Sequence, residues 1–327
     1  MKRKRVLASL LAFSLLAGCV AQNNEPVLSD GEDSSIMVDS GEILADELVA
    51  MAGEPAIPNI LMPDAPGTLT KKSNRSIIDY SNNKDGYVMV QYTEEPKTRL
   101  KVKVIGPSTE FAYDLTAKQW TTYPLVDGNG TYSVKLYEQL ANSGKYAVVS
   151  SVEFRVELAD EFAPFLRPNQ YVNYEVKAEK ALAKAEELTI GLEDPIEKVE
   201  KIYDYVTNNL TYDKEQAASV QSGYLPVLDD IIEKGKGICF DYAALMTAML
   251  RSQGVPCKLV TGYVGGGAYH AWISVWTEET GWVDGAIYFD GADWQRMDPT
   301  FASSAHGSES ILEYIGDGSN YSVKHFY

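Results

Sequence analysis

The stretch GKGICFDYAALMTAMLRSQGVPCKLVTGY, Gly235 to Tyr263, sets a cysteine directly after a Gly-Lys-Gly-Ile turn and in front of an apolar run. The run predicts a helix from Cys239 to about Ser252, after which Gln253-Gly254-Val255-Pro256 turns the chain into a strand that starts at Cys257. Three fates are open to Cys239: a packed core thiol, half of a disulfide, or a nucleophile at a helix N-terminus. A helix of this length spans about 20 Å, whereas bridged Cα atoms lie within about 7 Å. Cys257, at the far end, therefore reads as a small buried residue at a strand start, and Cys239 is left unbridged. In the first helical turn the backbone N–H groups lack internal partners and the helix dipole favours negative charge, which lowers a thiol pKa. Gly235 and Gly237 permit a sharp turn into the helix. Asp241 suits the dipole but would raise the thiol pKa if it pointed inward.

Two residues downstream give the nucleophile reading its weight. GGGAYHAWISVW places His270 in an alternating strand, and WQRMDPTF places Asp298 at a strand end before Pro299. An imidazole can take the thiol proton, and a carboxylate on its other ring nitrogen fixes the tautomer. Singly, each residue is weak evidence, because most lone histidines and aspartates are structural.

The three motifs in this order, the Cys239 stretch, HAW and MDPTF, resemble the transglutaminase-like superfamily over roughly Asp194 to Phe301. The resemblance implies an α+β fold in which a helix-borne cysteine packs on an antiparallel sheet, in the manner of papain-like enzymes. It implies Cys239 as nucleophile, His270 as base and Asp298 as orienter. It also puts Tyr212, in NNLTYD, near the site, with an oxyanion or groove role, and Trp272, two residues after His270, is a further groove candidate read from its place on the His270 face of the strand. The long segment between HAW and MDPTF departs from the family and holds two turns, at TEETG and DGAD. The activity implied is cleavage or transfer of peptide or amide acyl groups through a Cys239 thioester, with hydrolysis favoured because many bacterial relatives resemble proteases. The rival from another class is a non-catalytic cell-surface protein that binds peptides or cell-wall material.

The remainder of the chain frames this segment. Of 327 residues, 45% are apolar and 23% charged, which is ordinary globular composition. Lys2, Arg3, Lys4 and Arg5, an apolar run from Val6 to Leu16 and the tetrapeptide Leu-Ala-Gly-Cys ending at Cys19 form a secretory signal that resembles a bacterial lipobox. Residues 1–19 are expected to be this signal, with lipidation of Cys19 and an extracytoplasmic, membrane-anchored protein. Residues 20–67 carry ten acidic residues and no Lys, Arg or aromatic residue, and read as a tether with one short helix around Ile43 to Met51. Residues 68–166 show short runs of period two separated by NNKDG, DGNG and NSGK, the pattern of a small Ig-like β-sandwich. Residues 167–327 are expected to form the catalytic domain, with Asp194 capping a helix that has Pro195 at its first position.

The formal charge of −17 argues against nucleic acid and against a basic patch on anionic lipid. The partners expected are a peptide or protein substrate, cell-wall material included, and the membrane through the lipid. No cofactor is expected. His306 and His325 lie apart without ligand spacing and read as structural, and no Asp-x-Asp-x-Asp-Gly loop is present, although calcium stays open. Trp272, Trp276, Trp282 and Trp294 either wall an acceptor tunnel or simply pack. Gly265 to Gly267 form either a flap or a hairpin loop.

Overall fold

The structure, a computed structural model, describes residues 60–264, 267–278, 281–284, 287–289, 294–296 and 321–327. Cys19, the tether up to residue 59 with its expected helix, Gly265, Gly266, Asp298, His306 and the turn at 317–320 lie outside the described residues.

Strands β1 (Thr70–Lys72), β2 (Ser76–Asp79), β3 (Tyr87–Tyr92) and β6 (Thr121–Pro124) make one antiparallel sheet in the order β1-β2-β3-β6. Strands β4 (Leu100–Ile105), β5 (Glu110–Asp114), β7 (Gly130–Gln139) and β8 (Tyr146–Val156) make a second, in the order β5-β4-β7-β8. Along β4, Leu100, Val102 and Val104 are buried while Lys101 and Lys103 are partly exposed, so one face is apolar. These residues join Val134 and Leu136 of β7 and Val88, Val90 and Tyr92 of β3 in a single cluster, so both sheets share one core. The sequence pattern divides β8 into two runs, yet it is one strand of 11 residues. A bulge in β8 itself, with Val149 left over between the partners of Leu136 and Tyr137, keeps the long pairing intact. Strands β1, β2 and β6 escape a period-two reading because they are short and β2 is buried at nearly every position.

The chain then forms helices α1 (Glu179–Thr189), α2 (Pro195–Asn209), α3 (Lys214–Ser219), α4 (Leu228–Lys234) and α5 (Cys239–Ser252). A short parallel bridge joins β9 (Thr211–Tyr212) to β10 (Lys236–Gly237). Strands β11 (Cys257–Val264), β12 (Ala268–Thr277), β13 (Gly281–Asp284) and β16 (Ser322–Phe326) form an antiparallel sheet in the order β13-β12-β11-β16, and β14 (Ile287–Phe289) pairs with β15 (Trp294–Arg296).

Helix α5 is buried at every position from Asp241 to Ser252, packed among α1, α2, α4, β11 and β12. A helix apolar all round belongs at the centre of a domain. Leu245, Met246, Met249 and Leu250 are fully buried, and each such side chain contributes about 1.5–3 kcal/mol of hydrophobic stabilisation. Asp194 caps α2 as its sequence position predicts, accepting from the Ile196 N–H at 2.8 Å. Helix α1 begins only at Glu179, although the apolar pattern starts at Tyr174. Lys177 adopts a left-handed φ of 51°, and the cap comes from far along the chain: Asp229 accepts from the N–H groups of Lys180 and Ala181 at 3.0 and 3.1 Å.

The two cores meet at Tyr171 and Tyr327, whose rings lie 4.4 Å apart. Arg251, at the end of α5, fastens this junction. Its buried guanidinium donates to the carbonyls of Cys257 (2.8 Å), Arg167 (2.7 Å) and Tyr327 (2.6 Å). His325 packs its ring 5.5 Å from Phe111 and so serves the same junction. Among the described residues, no helix is long and apolar enough to cross a membrane. Arg251→Ala takes a donor from three backbone oxygens, of which that of Tyr327 keeps the Leu259 N–H, and thermal unfolding should register a loss of about 2–3 kcal/mol, with the midpoint falling by several degrees.

Candidate active site

The position of Cys239 follows from how α5 lies on its sheet. Val255 donates to the Leu250 carbonyl at 3.0 Å, which reverses the chain at the helix C-terminus, and Gly254 takes a φ of 78° there. Strand β11 then runs back along α5, Cys257 facing Val275 of β12 and Gly262 facing His270. Fourteen helical residues rise about as far as six or seven strand residues at about 1.5 and 3.3 Å each. The start of β12 therefore stands level with the first turn of α5. Ala271, Ile273 and Val275 hold β12 to α5 through the shared core, and His270 sits at the Cys239 end, buried and stacked on Trp272 at 6.4 Å.

Cys239 is half-buried and unbridged, packed against the core beside Tyr212 and Phe240. Tyr212 pairs with Gly237, and the Asp213 N–H donates to the Gly237 carbonyl at 2.9 Å, which brings this tyrosine alongside the turn that precedes the nucleophile candidate. Lys236 and Asp213 form an ion pair across the same bridge at 2.9 Å. Tyr269 is a site neighbour that the sequence reading missed. Its phenol is held above the ordinary pKa chiefly by burial, with Cys239 the least of the groups that add to the rise. The signal was present, since the alternation of Ala271, Ile273 and Val275 extends back to position 269.

Asp241 points inward, beneath the turn. It accepts from the Ile238 N–H (2.8 Å), Gln216 Nε2 (3.0 Å) and the Tyr224 hydroxyl (2.7 Å). Burial raises its carboxyl above the usual range, and the three hydrogen bonds oppose that rise. Gly237 is required beside it, because a Cβ there would lie 2.6 Å from the Asp241 Cβ.

Trp272 departs from the expected groove wall. It is 1% exposed, wedged between His270 and Tyr321, so its bulk supports the histidine instead of facing a groove. Trp276 and Trp282 also pack, against Phe162 at 4.2 Å and Phe165 at 5.0 Å. Lys258 caps the Trp282 ring at 3.6 Å. Strand β15 ends at Arg296, shortly before Asp298. Among the described residues, no three His, Cys, Asp or Glu side chains gather where they could hold a metal ion.

Residues 182–299 match the family described as the transglutaminase-like superfamily. The chain therefore carries a transglutaminase-like domain, and the helix-borne cysteine packed on an antiparallel sheet is its core. A protein-glutamine gamma-glutamyltransferase from Pseudomonas aeruginosa is 31% identical over 98 residues, which cover 26% of this chain and 13% of that protein. Among solved structures, a candidate cysteine protease from Cytophaga hutchinsonii aligns at a TM-score of 0.37 and 15% identity over 79% of this chain and 73% of its own. The periplasmic domain of TgpA from Pseudomonas aeruginosa aligns at 0.33 and 15% over 74% and 99%.

Two outcomes are expected. Gly237→Ala forces the Asp241 brace apart and should cost about 2 kcal/mol or more in chemical denaturation, the range of overpacking strain. Cys257, fully buried with its thiol pushed up to about 12, should stay unalkylated in the folded protein at pH 8. Because that folded value lies above the ordinary 9.0, the folded state holds its proton more tightly, so this contribution to stability is complete below pH 9 and is lost as pH rises toward 12.

Proposed function

We propose that the protein is a thiol enzyme that cleaves or transfers peptide and amide acyl groups, with Cys239 as nucleophile, His270 as base and Asp298 as orienter. What supports this reading is Cys239 at the N-terminus of a buried helix, with His270 near the start of a strand of the sheet that packs on it, inside a segment that matches the transglutaminase-like family. The Cys239 sulfur attacks the substrate carbonyl carbon after its proton passes to His270. Backbone N–H groups at the start of α5 take up the negative oxygen of the tetrahedral intermediate. The C–N bond breaks as His270 returns the proton to the leaving amine or ammonia, and a thioester remains on Cys239. Water then releases an acid, or a primary amine releases a new amide.

Hydrolysis is the favoured outcome. Transfer needs a dry acceptor channel at the thioester, and of the four tryptophans offered for one by the sequence, Trp272, Trp276 and Trp282 are engaged in packing, while the Trp294 side chain lies outside the described residues. The lipobox-like leader supports an extracytoplasmic protein anchored through lipid on Cys19, with the acidic segment as its tether. The sheets that precede the catalytic segment are assigned as a spacer or docking module.

The test is a panel of glutamine-containing peptides, with and without a labelled primary amine, read for ammonia, cleavage products and amine incorporation. Acid products and a trapped acyl group on Cys239 are expected. Cys239→Ala should abolish turnover, and His270→Ala should lower it by roughly 10³-fold or more, the scale seen for members of catalytic triads. Turnover unchanged in Cys239→Ala would overturn the assignment. A folded protein that binds peptide with no acyl intermediate would make it a cell-surface binding protein.

A further inference from the structure

The hydrogen bonds beneath the Cys239 turn exceed what closing a helix requires. A helix N-terminus needs one acceptor for its first free N–H groups. Asp241 supplies it by taking the Ile238 N–H, which belongs to the Gly237–Ile238 peptide, one before the peptide that joins Cys239. The same carboxylate also collects Gln216 from α3 and Tyr224 from the loop that follows. Helix α3 has little else to hold it, because Ala217 is its one buried residue. The stretch from Asp213 to Tyr224 is thus fastened to the Cys239 turn at both ends, through the Asp213 N–H to Gly237 and through the two side chains on Asp241.

We propose that Asp241, together with Tyr224 and Gln216, is a positioning device for Cys239: it fixes the Gly237–Ile238 peptide in the turn that delivers the nucleophile and ties the 213–224 segment to it as one unit. This rests on the nucleophile role assigned above. The direction of that peptide decides where Sγ and the first free N–H groups of α5 point, and an attacking atom and its oxyanion donors must converge on one carbonyl within a few tenths of an ångström. Gly237 leaves the room that the carboxylate fills, and Tyr224 and Gln216 occupy the acceptor positions that would otherwise let the carboxylate swing.

The test reads Cys239 without any substrate. The full chain is alkylated with iodoacetamide across pH, and the peptide that contains Cys239 is quantified by mass spectrometry, with Cys257 as the silent internal reference. Wild-type Cys239 should titrate below the about 8.5 of a free thiol. Tyr224→Phe and Gln216→Ala should each slow its alkylation at pH 7 by about three- to tenfold, the factor carried by one hydrogen bond, without changing the thermal midpoint by more than a few degrees. Asp241→Asn also removes a negative charge that opposes thiolate formation, so it is read at high pH, where the thiol is fully ionised: its limiting alkylation rate should fall below that of either single variant, and Tyr224→Phe added to it should do nothing more, because both act through one carboxylate. If Asp241→Asn does not fold, Tyr224→Phe and Gln216→Ala carry the same test by themselves. An activated Cys239 indifferent to these substitutions would overturn the positioning role and leave the nucleophile assignment standing. An ordinary thiol in the wild type would overturn both.

Discussion

Burial of α5 on all sides is the constraint from which the rest of the domain follows. A helix that is apolar around its whole circumference cannot lie on a surface, so α1, α2 and α4 cover one side and β11 and β12 the other. Once that is so, the lengths of helix and strand dictate that the residue opening the helix and the residues opening β12 share one end of the layer. Cys239 and the opening of β12 are brought to that end by hydrophobic packing, Leu245, Met246, Ile273 and Val275 taking part in it.

The polar contacts refine what the apolar ones arrange. Arg251 at one end of α5 gathers three carbonyls from separate parts of the chain, and Asp241 at the other end gathers three donors. Both groups are buried and charged, so each is tolerable only while its partners stay in place. A buried charge of this kind adds little net stability and much geometric definition, because each alternative arrangement leaves unpaired groups behind. The central helix is thereby clasped at its C-terminus to the junction with the preceding sheets, and at its N-terminus to the turn that presents the thiol.

Much of this was legible in the chain itself. The helix from Cys239 to Ser252 and the strand start at Cys257 agree with the pattern, because an apolar run closed by Gly-Val-Pro is local information. The Asp194 cap was readable for the same reason, since a cap and its N–H lie two residues apart. The start of α1 was not, because its cap is Asp229, and no local rule reveals a capping residue so far along the chain. Strand β8 was divided and β2 passed over for a related reason: a bulge within the strand and burial on both faces each erase the period that marks a strand.

At the site the division is similar. Sequence by itself determined which residue types could do the chemistry and in what order, and the three motifs around Cys239, His270 and Asp298 were enough to point to a transglutaminase-like domain. Only the tertiary structure decided that Trp272 is packed behind His270 and that Asp241 turns inward to Tyr224 and Gln216. The physical reason is range. Helical and strand periods and caps act over a few residues and are written along the chain, whereas the partner of a buried polar group is whichever side chain the packing of distant elements brings within about 3 Å.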